Sequence, residues 1–174
     1  LRKIMKPVLK KLALITGASG GIGRELVKKF VLEGYFTIGT FNTDFLSESQ
    51  LMSEITEEGG SPFLLCMLKA DLSTKEGIEK VMDIVQTNFS HVDVFVSNAG
   101  VSLYKQIQDT TDEDYDYVMN VNARAPYLIT REILPPMISK KTGSIIYVSS
   151  VWGDVGASME TAYSQSKASL IGLT

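Results

Sequence analysis

Apolar positions along the chain fall into short unbroken runs that alternate with longer stretches at helical spacing. Residues 12–16 read as a buried strand. In residues 21–33, Ile22, Leu26, Phe30 and Val31 share one helical face, and Gly34 supplies a stop. Residues 36–41 predict a second strand, 47–58 a helix capped by Ser47, and 63–68 a third strand. Residues 74–89 carry Ile78, Val81, Met82 and Val85 at helical spacing, and 92–97 form a fourth strand. One long helix is expected over 112–138. It opens on Thr111 and Asp114, an aspartate version of the capping box. A fifth strand follows at 144–149, and a last helix begins near Glu160.

Strands alternating with helices imply βαβ units and a parallel sheet covered on both faces. Right-handed crossovers leave few topologies, and a doubly wound three-layer α/β/α sheet is expected. Its ligand crevice lies beyond the carboxyl ends of the strands. A length of 174 residues suits one domain, residues 1–174, with no repeat or linker. Hydrophobic content of 44% and charged content of 21% are those of a globular chain. A net charge of -3 gives no general pull toward nucleic acid or an anionic membrane. The single cysteine, Cys66, leaves no internal disulfide, offers no zinc cluster or other metal site, and fits a reducing, cytoplasmic setting. Arg2, Lys3, Lys6, Lys10 and Lys11 precede an apolar run, residues 12–15, that is too short for a signal peptide. No apolar stretch reaches the ~18 residues of a membrane span. Residues 1–4 precede Met5, and the native start could lie at either place.

Gly17, Gly20, Gly21 and Gly23 stand between the first strand and the first helix, in Thr16-Gly17-Ala18-Ser19-Gly20-Gly21-Ile22-Gly23. Glycine allows the positive φ of a tight turn, and the following helix N-terminus offers free N–H groups and a favourable dipole to a phosphate. No Gly-Lys-Ser/Thr follows, so this is not the nucleoside-triphosphate loop. The loop, Gly17-x3-Gly21-x-Gly23 after Thr16, resembles the nucleotide loop of the classical short-chain dehydrogenases/reductases. That resemblance covers the chain from about Lys11 to Thr174 and implies a Rossmann-like fold binding NADP or NAD. It assigns Gly17, Ser19, Gly20, Gly21, Ile22 and Gly23 to the pyrophosphate side, and Asn42, Asp71 and Leu72 to the adenosine side. Asn98, Ala99 and Gly100 are to border the nucleotide, with Ser97 where relatives usually have asparagine. At the end of the second strand, Phe41, Asn42 and Thr43 bring no carboxylate, which leans toward NADP. They bring no basic residue either, and Gly20 stands where NADP-using relatives often carry one. The alternative for Asp71, taken alone, is an ordinary loop aspartate.

Tyr163 and Lys167 are four apart and share a helix face. A phenol gives up its proton near pH ~10, and an ammonium close by favours the phenolate, as acid–base catalysis at lower pH requires. With Ser150 thirteen residues upstream, the pair resembles the family's catalytic set. The resemblance implies that Tyr163 moves the proton, Lys167 tunes Tyr163 and holds the nicotinamide ribose, and Ser150 binds the reacting oxygen. It also implies Asn122, in preference to Asn120, whose carbonyl would hold a relay water. Pro126 gives this a physical basis, since it has no N–H for the Asn122 carbonyl. His91 precedes the fourth strand and reads as a surface residue, which argues against a Ser/His hydrolase.

The expected activity is hydride transfer between a nicotinamide and a carbonyl or secondary alcohol, with 3-oxoacyl thioesters as one substrate class. Lys140 and Lys141 could meet an acidic acyl carrier, or simply complement a helix end. A homo-oligomer is implied for a full-length family member. The alternative is a nucleotide-binding module without catalysis. The chain ends seven residues after Lys167, with Leu170, Ile171 and Leu173 expected as an uncovered apolar face and further family elements absent.

Overall fold

The computed structural model describes residues 11–43 and 48–174. Residues 1–10 and the proposed cap at Ser47 lie outside the described residues. Five strands, β1 (Leu12–Ile15), β2 (Phe36–Phe41), β3 (Leu65–Lys69), β4 (Val94–Ser97) and β5 (Ser144–Tyr147), form one sheet in the order β3-β2-β1-β4-β5. All four neighbouring pairs are parallel. The helices are α1 (Gly21–Leu32), α2 (Glu48–Glu57), α3 (Lys75–Asn88), α4 (Asp112–Met119), α5 (Ala125–Lys140) and α6 (Thr161–Ile171).

Side chains of a strand alternate between faces, and the core divides accordingly. Leu12 and Leu14 of β1 point into a layer with Ile78, Val81 and Val85 of α3 and Ile129 and Ile133 of α5. Ile15 points the other way, to Val27 and Val31 of α1 and Leu51 and Ile55 of α2. Each such valine or leucine contributes on the order of 1.5–3 kcal/mol by leaving water. Strand order reverses between β1 and β4, so the crevice opens where β1 and β4 end.

Several expected boundaries move. The face of α1 is centred on buried Gly23, Val27 and Val31, while Ile22 is exposed. A Cβ at Gly23 would collide with the Gly17 carbonyl and the Asn98 side chain, so glycine lets the start of α1 lie against the loop. Residues 62–64 form a single 3-10 turn that leaves Phe63 exposed, so the third strand starts at Leu65. Thr74 caps α3, its hydroxyl accepting from the Gly77 N–H at 3.0 Å. The capping box on α4 is complete. The Thr111 hydroxyl accepts from the Asp114 N–H at 3.2 Å, and the Asp114 carboxylate accepts from the Thr111 N–H at 3.3 Å.

The long helix expected over 112–138 is broken by a π turn, Asn120–Arg124, between α4 and α5. There the Ala125 N–H donates to the Asn120 carbonyl, five residues back. Pro126, just past the turn, cannot supply the donor that would keep an α-helical ladder regular. In α6 the expected apolar face is only partly uncovered, because Leu170 is buried and Ile171 is not.

Candidate active site

The glycine loop joins β1 to α1 with Gly17 at φ 68° and Gly21 at φ 52°, the left-handed region in which a side chain is strained. A Cβ on Gly17 would stand 2.7 Å from the Ala99 Cα, and one on Gly23 would stand 2.0 Å from the Gly17 carbonyl oxygen. The loop therefore lies flat against the end of β4 and the start of α1. Asn98 holds it there. Its Nδ2 donates to the carbonyls of Thr16 (3.1 Å) and Gly17 (2.9 Å). Buried Thr16 returns the contact, its hydroxyl accepting from the N–H groups of Asn98 and Ala99, both at 3.1 Å. The brace forms with Ser97 in place of the usual asparagine.

Gly17, Ser19, Asn42, Asp71, Leu72, Ala99 and Gly100 come together around a cavity of about 190 Å³ at the carboxyl ends of the strands. Gly20 and Gly21 face open space at its edge, and a Cβ on either meets nothing within 4 Å. Exposed Ile22 stands beside them. The chemistry of this cradle fits a dinucleotide: open backbone at a helix start for phosphate, and polar groups on the β2 side for a ribose. Phe41, Asn42 and Thr43 line that side without a carboxylate. One Asp71 oxygen is used within its own turn, accepting from the Ser73 N–H (2.9 Å) and hydroxyl (2.7 Å). A larger groove of about 410 Å³ between α3 and α5 carries none of the candidate site residues.

Ser150 follows β5 and begins a 3-10 turn, Val151–Gly153. Its Oγ accepts from the Trp152 N–H at 3.2 Å. That bond uses a lone pair and leaves the hydroxyl hydrogen free to donate. The turn is locked onto α6. The Ser149 hydroxyl donates to the Lys167 carbonyl at 2.8 Å, and a Cβ on Gly153 would come within 2.8 Å of the Lys167 carbonyl carbon. Half-buried Tyr163 and buried Lys167 occupy one face of α6. The Lys167 Nζ lies 5.8 Å from the Tyr163 ring centre and donates to the Val148 carbonyl at 2.8 Å. Burial pushes the lysine ammonium below its ordinary range.

Asn122 is buried in the π turn with its side chain committed. Its Oδ1 accepts from the Val101 N–H, and its Nδ2 donates to the Val101 carbonyl, both at 2.8 Å. Nδ2 also donates to the Ser166 hydroxyl at 2.9 Å, which in turn donates to the Tyr163 carbonyl at 2.7 Å. A Cβ on Gly100 would lie 3.1 Å from the Lys167 Nζ and 3.6 Å from the Asn122 Oδ1, so these groups meet at one corner. Sequence reasoning missed Thr16, Ser149 and Ser166 as supports. Only Ser166 had a legible signal, three residues after Tyr163 on the same face.

His91 is not a free surface residue. Its Nε2 lies 3.0 Å from Asp93 Oδ1, and its Nδ1 lies 3.1 Å from the Ser90 Oγ and 3.0 Å from the Lys140 Nζ. This cluster is at the amino ends of β4 and β5, remote from Ser150. Lys141 caps α5 in the left-handed conformation, φ 54°. Both lysines are thus helix-end residues. Among the described residues no group of histidine, cysteine and carboxylate side chains could hold a metal ion.

A parallel sheet with a glycine loop after β1, a serine after β5 and a Tyr-x3-Lys helix beside it defines a nucleotide-dependent oxidoreductase fold of the short-chain type. The short chain dehydrogenase family model matches residues 11–174, and the chain belongs to that family. It is 36% identical over 160 residues to the uncharacterized oxidoreductase YmfI of Bacillus subtilis, covering 91% of this chain and 64% of that one. It is 34% identical over 164 residues to the 3-oxoacyl-[acyl-carrier-protein] reductase FabG of Thermotoga maritima, covering 94% and 65%. The chain thus spans just under two thirds of the length of these relatives. Among solved structures it resembles a metagenomic short-chain oxidoreductase in complex with NADP, with TM-score 0.85, 32% identity, and 94% and 71% of the two chains covered. A short-chain dehydrogenase from Streptomyces avermitilis follows with TM-score 0.81, 29% identity, and coverage of 94% and 58%. Among the described residues no helix is long and apolar enough to cross a membrane.

Proposed function

We propose that residues 1–174 form one nucleotide-binding and catalytic unit that interconverts a carbonyl and a secondary alcohol with NADP or NAD. A 3-oxoacyl thioester is the substrate class suggested by the FabG relative. The observation that supports this reading is the lock between the Ser150 turn and α6 through Ser149 and Lys167, which ties the serine segment to the helix that carries Tyr163 and Lys167. The dinucleotide, when bound, supplies or accepts the hydride. Gly17, Ser19, Gly20, Gly21, Ile22 and Gly23 would hold its pyrophosphate, Asn42, Asp71 and Leu72 its adenosine, and Asn98, Ala99 and Gly100 its nicotinamide half. The absence of a carboxylate among Phe41, Asn42 and Thr43 supports NADP.

Ser150 donates its free hydroxyl hydrogen to the reacting oxygen, and Tyr163 gives or takes the proton. Lys167 stands behind the tyrosine, and its burial makes its own proton easier to pass on. The Asn122 amide is spent on Val101 and Ser166, so any part in proton transfer falls to its main-chain carbonyl. That carbonyl is the one that Pro126 leaves without an i+4 donor. A cytoplasmic location fits the lone free thiol of Cys66. Self-association is supported by Tyr127, Leu134 and Ile138, exposed along α5.

Tyr163→Phe tests the mechanism. Turnover is expected to fall by on the order of 10³-fold or more while the nucleotide still binds, since only the proton donor is removed. A Tyr163→Phe protein that keeps full activity would refute the assignment.

A further inference from the structure

The His91 cluster has no part in the chemistry at Ser150, but it contains a serine of its own. Ser90, His91 and Asp93 follow one another between α3 and β4, with Val92 buried among them. Asp93 is bolted into the sheet. Its N–H donates to the Leu12 carbonyl at 2.9 Å, and its carbonyl accepts from the Ser144 N–H at 2.9 Å. Its Oδ2 accepts from the Leu12 N–H at 2.7 Å, which turns Oδ1 to the His91 Nε2 at 3.0 Å.

The partners fix the state of the imidazole. A carboxylate only accepts, so Nε2 carries the ring hydrogen. The Lys140 ammonium only donates, and it lies 3.0 Å from Nδ1, so Nδ1 offers a lone pair. The Ser90 Oγ stands 3.1 Å from that same nitrogen and 3.0 Å from the Lys140 Nζ. A hydroxyl thus faces a neutral base that a carboxylate orients, with a cation beside the oxygen that favours its ionised form. His91 and Asp93 are held at 15% and 18% side-chain exposure, whereas Ser90 is exposed.

A cavity of about 210 Å³ adjoins these groups. Ser90 and His91 line it themselves, together with apolar Met82, Val85, Phe89 and Ile133. Glu132 lines it too, which disfavours an anionic occupant. The reactive hydroxyl and a seat for a small apolar group are therefore parts of one site.

We propose that Ser90, His91 and Asp93 form a second reactive centre, which hydrolyses small uncharged carboxylic esters through an acyl-Ser90 intermediate. The Ser90 Oγ bonds to the ester carbonyl carbon, and its proton passes to the His91 Nδ1. The carbon–oxygen bond to the alcohol breaks, and the alcohol leaves with that proton. Water then repeats the sequence, releasing the acid and restoring the serine. Asp93 holds the imidazolium that forms in between, and Lys140, already at the Oγ, meets the charge that develops on the carbonyl oxygen. No nucleotide enters any step, so this centre stands apart from the oxidoreductase reading.

The purified protein without nucleotide is given p-nitrophenyl acetate and p-nitrophenyl butyrate, and separately a fluorophosphonate, with the adduct located by peptide mass mapping. The adduct is expected on Ser90. Butyrate is expected to exceed acetate by about tenfold in kcat/KM, because its two further methylenes enter the apolar cavity. Ser90→Ala is expected to abolish both labelling and the burst of p-nitrophenol, and His91→Gln to slow the burst by about a hundredfold. Circular dichroism establishes that each variant is folded. An adduct on another residue, no adduct at all, or unchanged hydrolysis by folded Ser90→Ala overturns the proposal.

Discussion

Gly23→Ala should be far more damaging than its position in a helix suggests. In an ordinary exposed helix the change would add about 1 kcal/mol of stability through propensity. Here the new Cβ would stand 2.0 Å from the Gly17 carbonyl oxygen and 2.7 Å from the Asn98 Nδ2, inside the 3.0 Å that real Cβ contacts essentially never cross. Both neighbours are held in place. The Gly17 carbonyl accepts from Asn98 at 2.9 Å, and Gly17 packs so closely on Ala99 that a Cβ there would stand 2.7 Å from the Ala99 Cα. Relief means moving the loop by about an ångström, at an overpacking cost of roughly 1–3 kcal/mol. Losing the Asn98–Gly17 bond adds about 1 kcal/mol. After the propensity gain, a net destabilisation of roughly 1–3 kcal/mol is expected. Nucleotide affinity should suffer more, because the displaced backbone is the surface proposed to meet the pyrophosphate. Gly20→Ala is the control. Gly20 is extended at φ -166° and its Cβ would meet nothing within 4 Å, so its stability should stay within about 0.5 kcal/mol of wild type. Urea unfolding and NADPH titration by fluorescence measure both effects. A Gly23→Ala protein as stable and as tightly binding as the Gly20→Ala control would refute the packing argument.

Three further outcomes follow from individual contacts. Thr111→Ala should cost about 1 kcal/mol in urea unfolding, because it opens the capping box on α4; a loss below 0.3 kcal/mol would show that the box contributes little. The Lys167 ammonium is lowered by burial, so the unfolded chain binds more protons in the window between the folded value and 10.5. Stability should therefore rise with pH across that window, with the burial penalty present in full below it, and Lys167→Met should abolish this part of the slope in a urea series up to pH 10.5. Burial pushes the Cys66 thiol up, so Ellman's reagent should label the native protein at least about tenfold more slowly than the urea-unfolded chain; equal rates would contradict the placement of Cys66 in β3.

The strands and helices were legible where an apolar period was strong and its ends carried a chemical signal. The second strand matched at both ends, and Thr111 with Asp114 marked the start of α4 correctly. The period misled at Ile22, which is exposed while its neighbour Gly23 is buried against the Gly17 carbonyl and Asn98. It also misled at Phe63, where a proline turn holds an aromatic out in solvent. Pro126 announced a disturbance of the long helix, but not its form, because a proline removes a donor without dictating how the carbonyls re-pair.

The sequence by itself determined the order of elements, the glycine loop, and the spacing that puts Tyr163 and Lys167 on one helical face, since these depend on local geometry alone. It could not show that Ser149 bonds the Lys167 carbonyl, that Thr16 and Asn98 clasp the loop, or that Ser166 links the Tyr163 carbonyl to Asn122. Three of these contacts join residues 18, 44 and 82 positions apart. Nothing in a local pattern specifies which distant polar group will satisfy a buried donor. That was decided only when the packed sheet brought the strand ends together and put specific distant partners within reach of each such group. The His91 cluster was hidden for the same reason, with Lys140 arriving from 49 positions away.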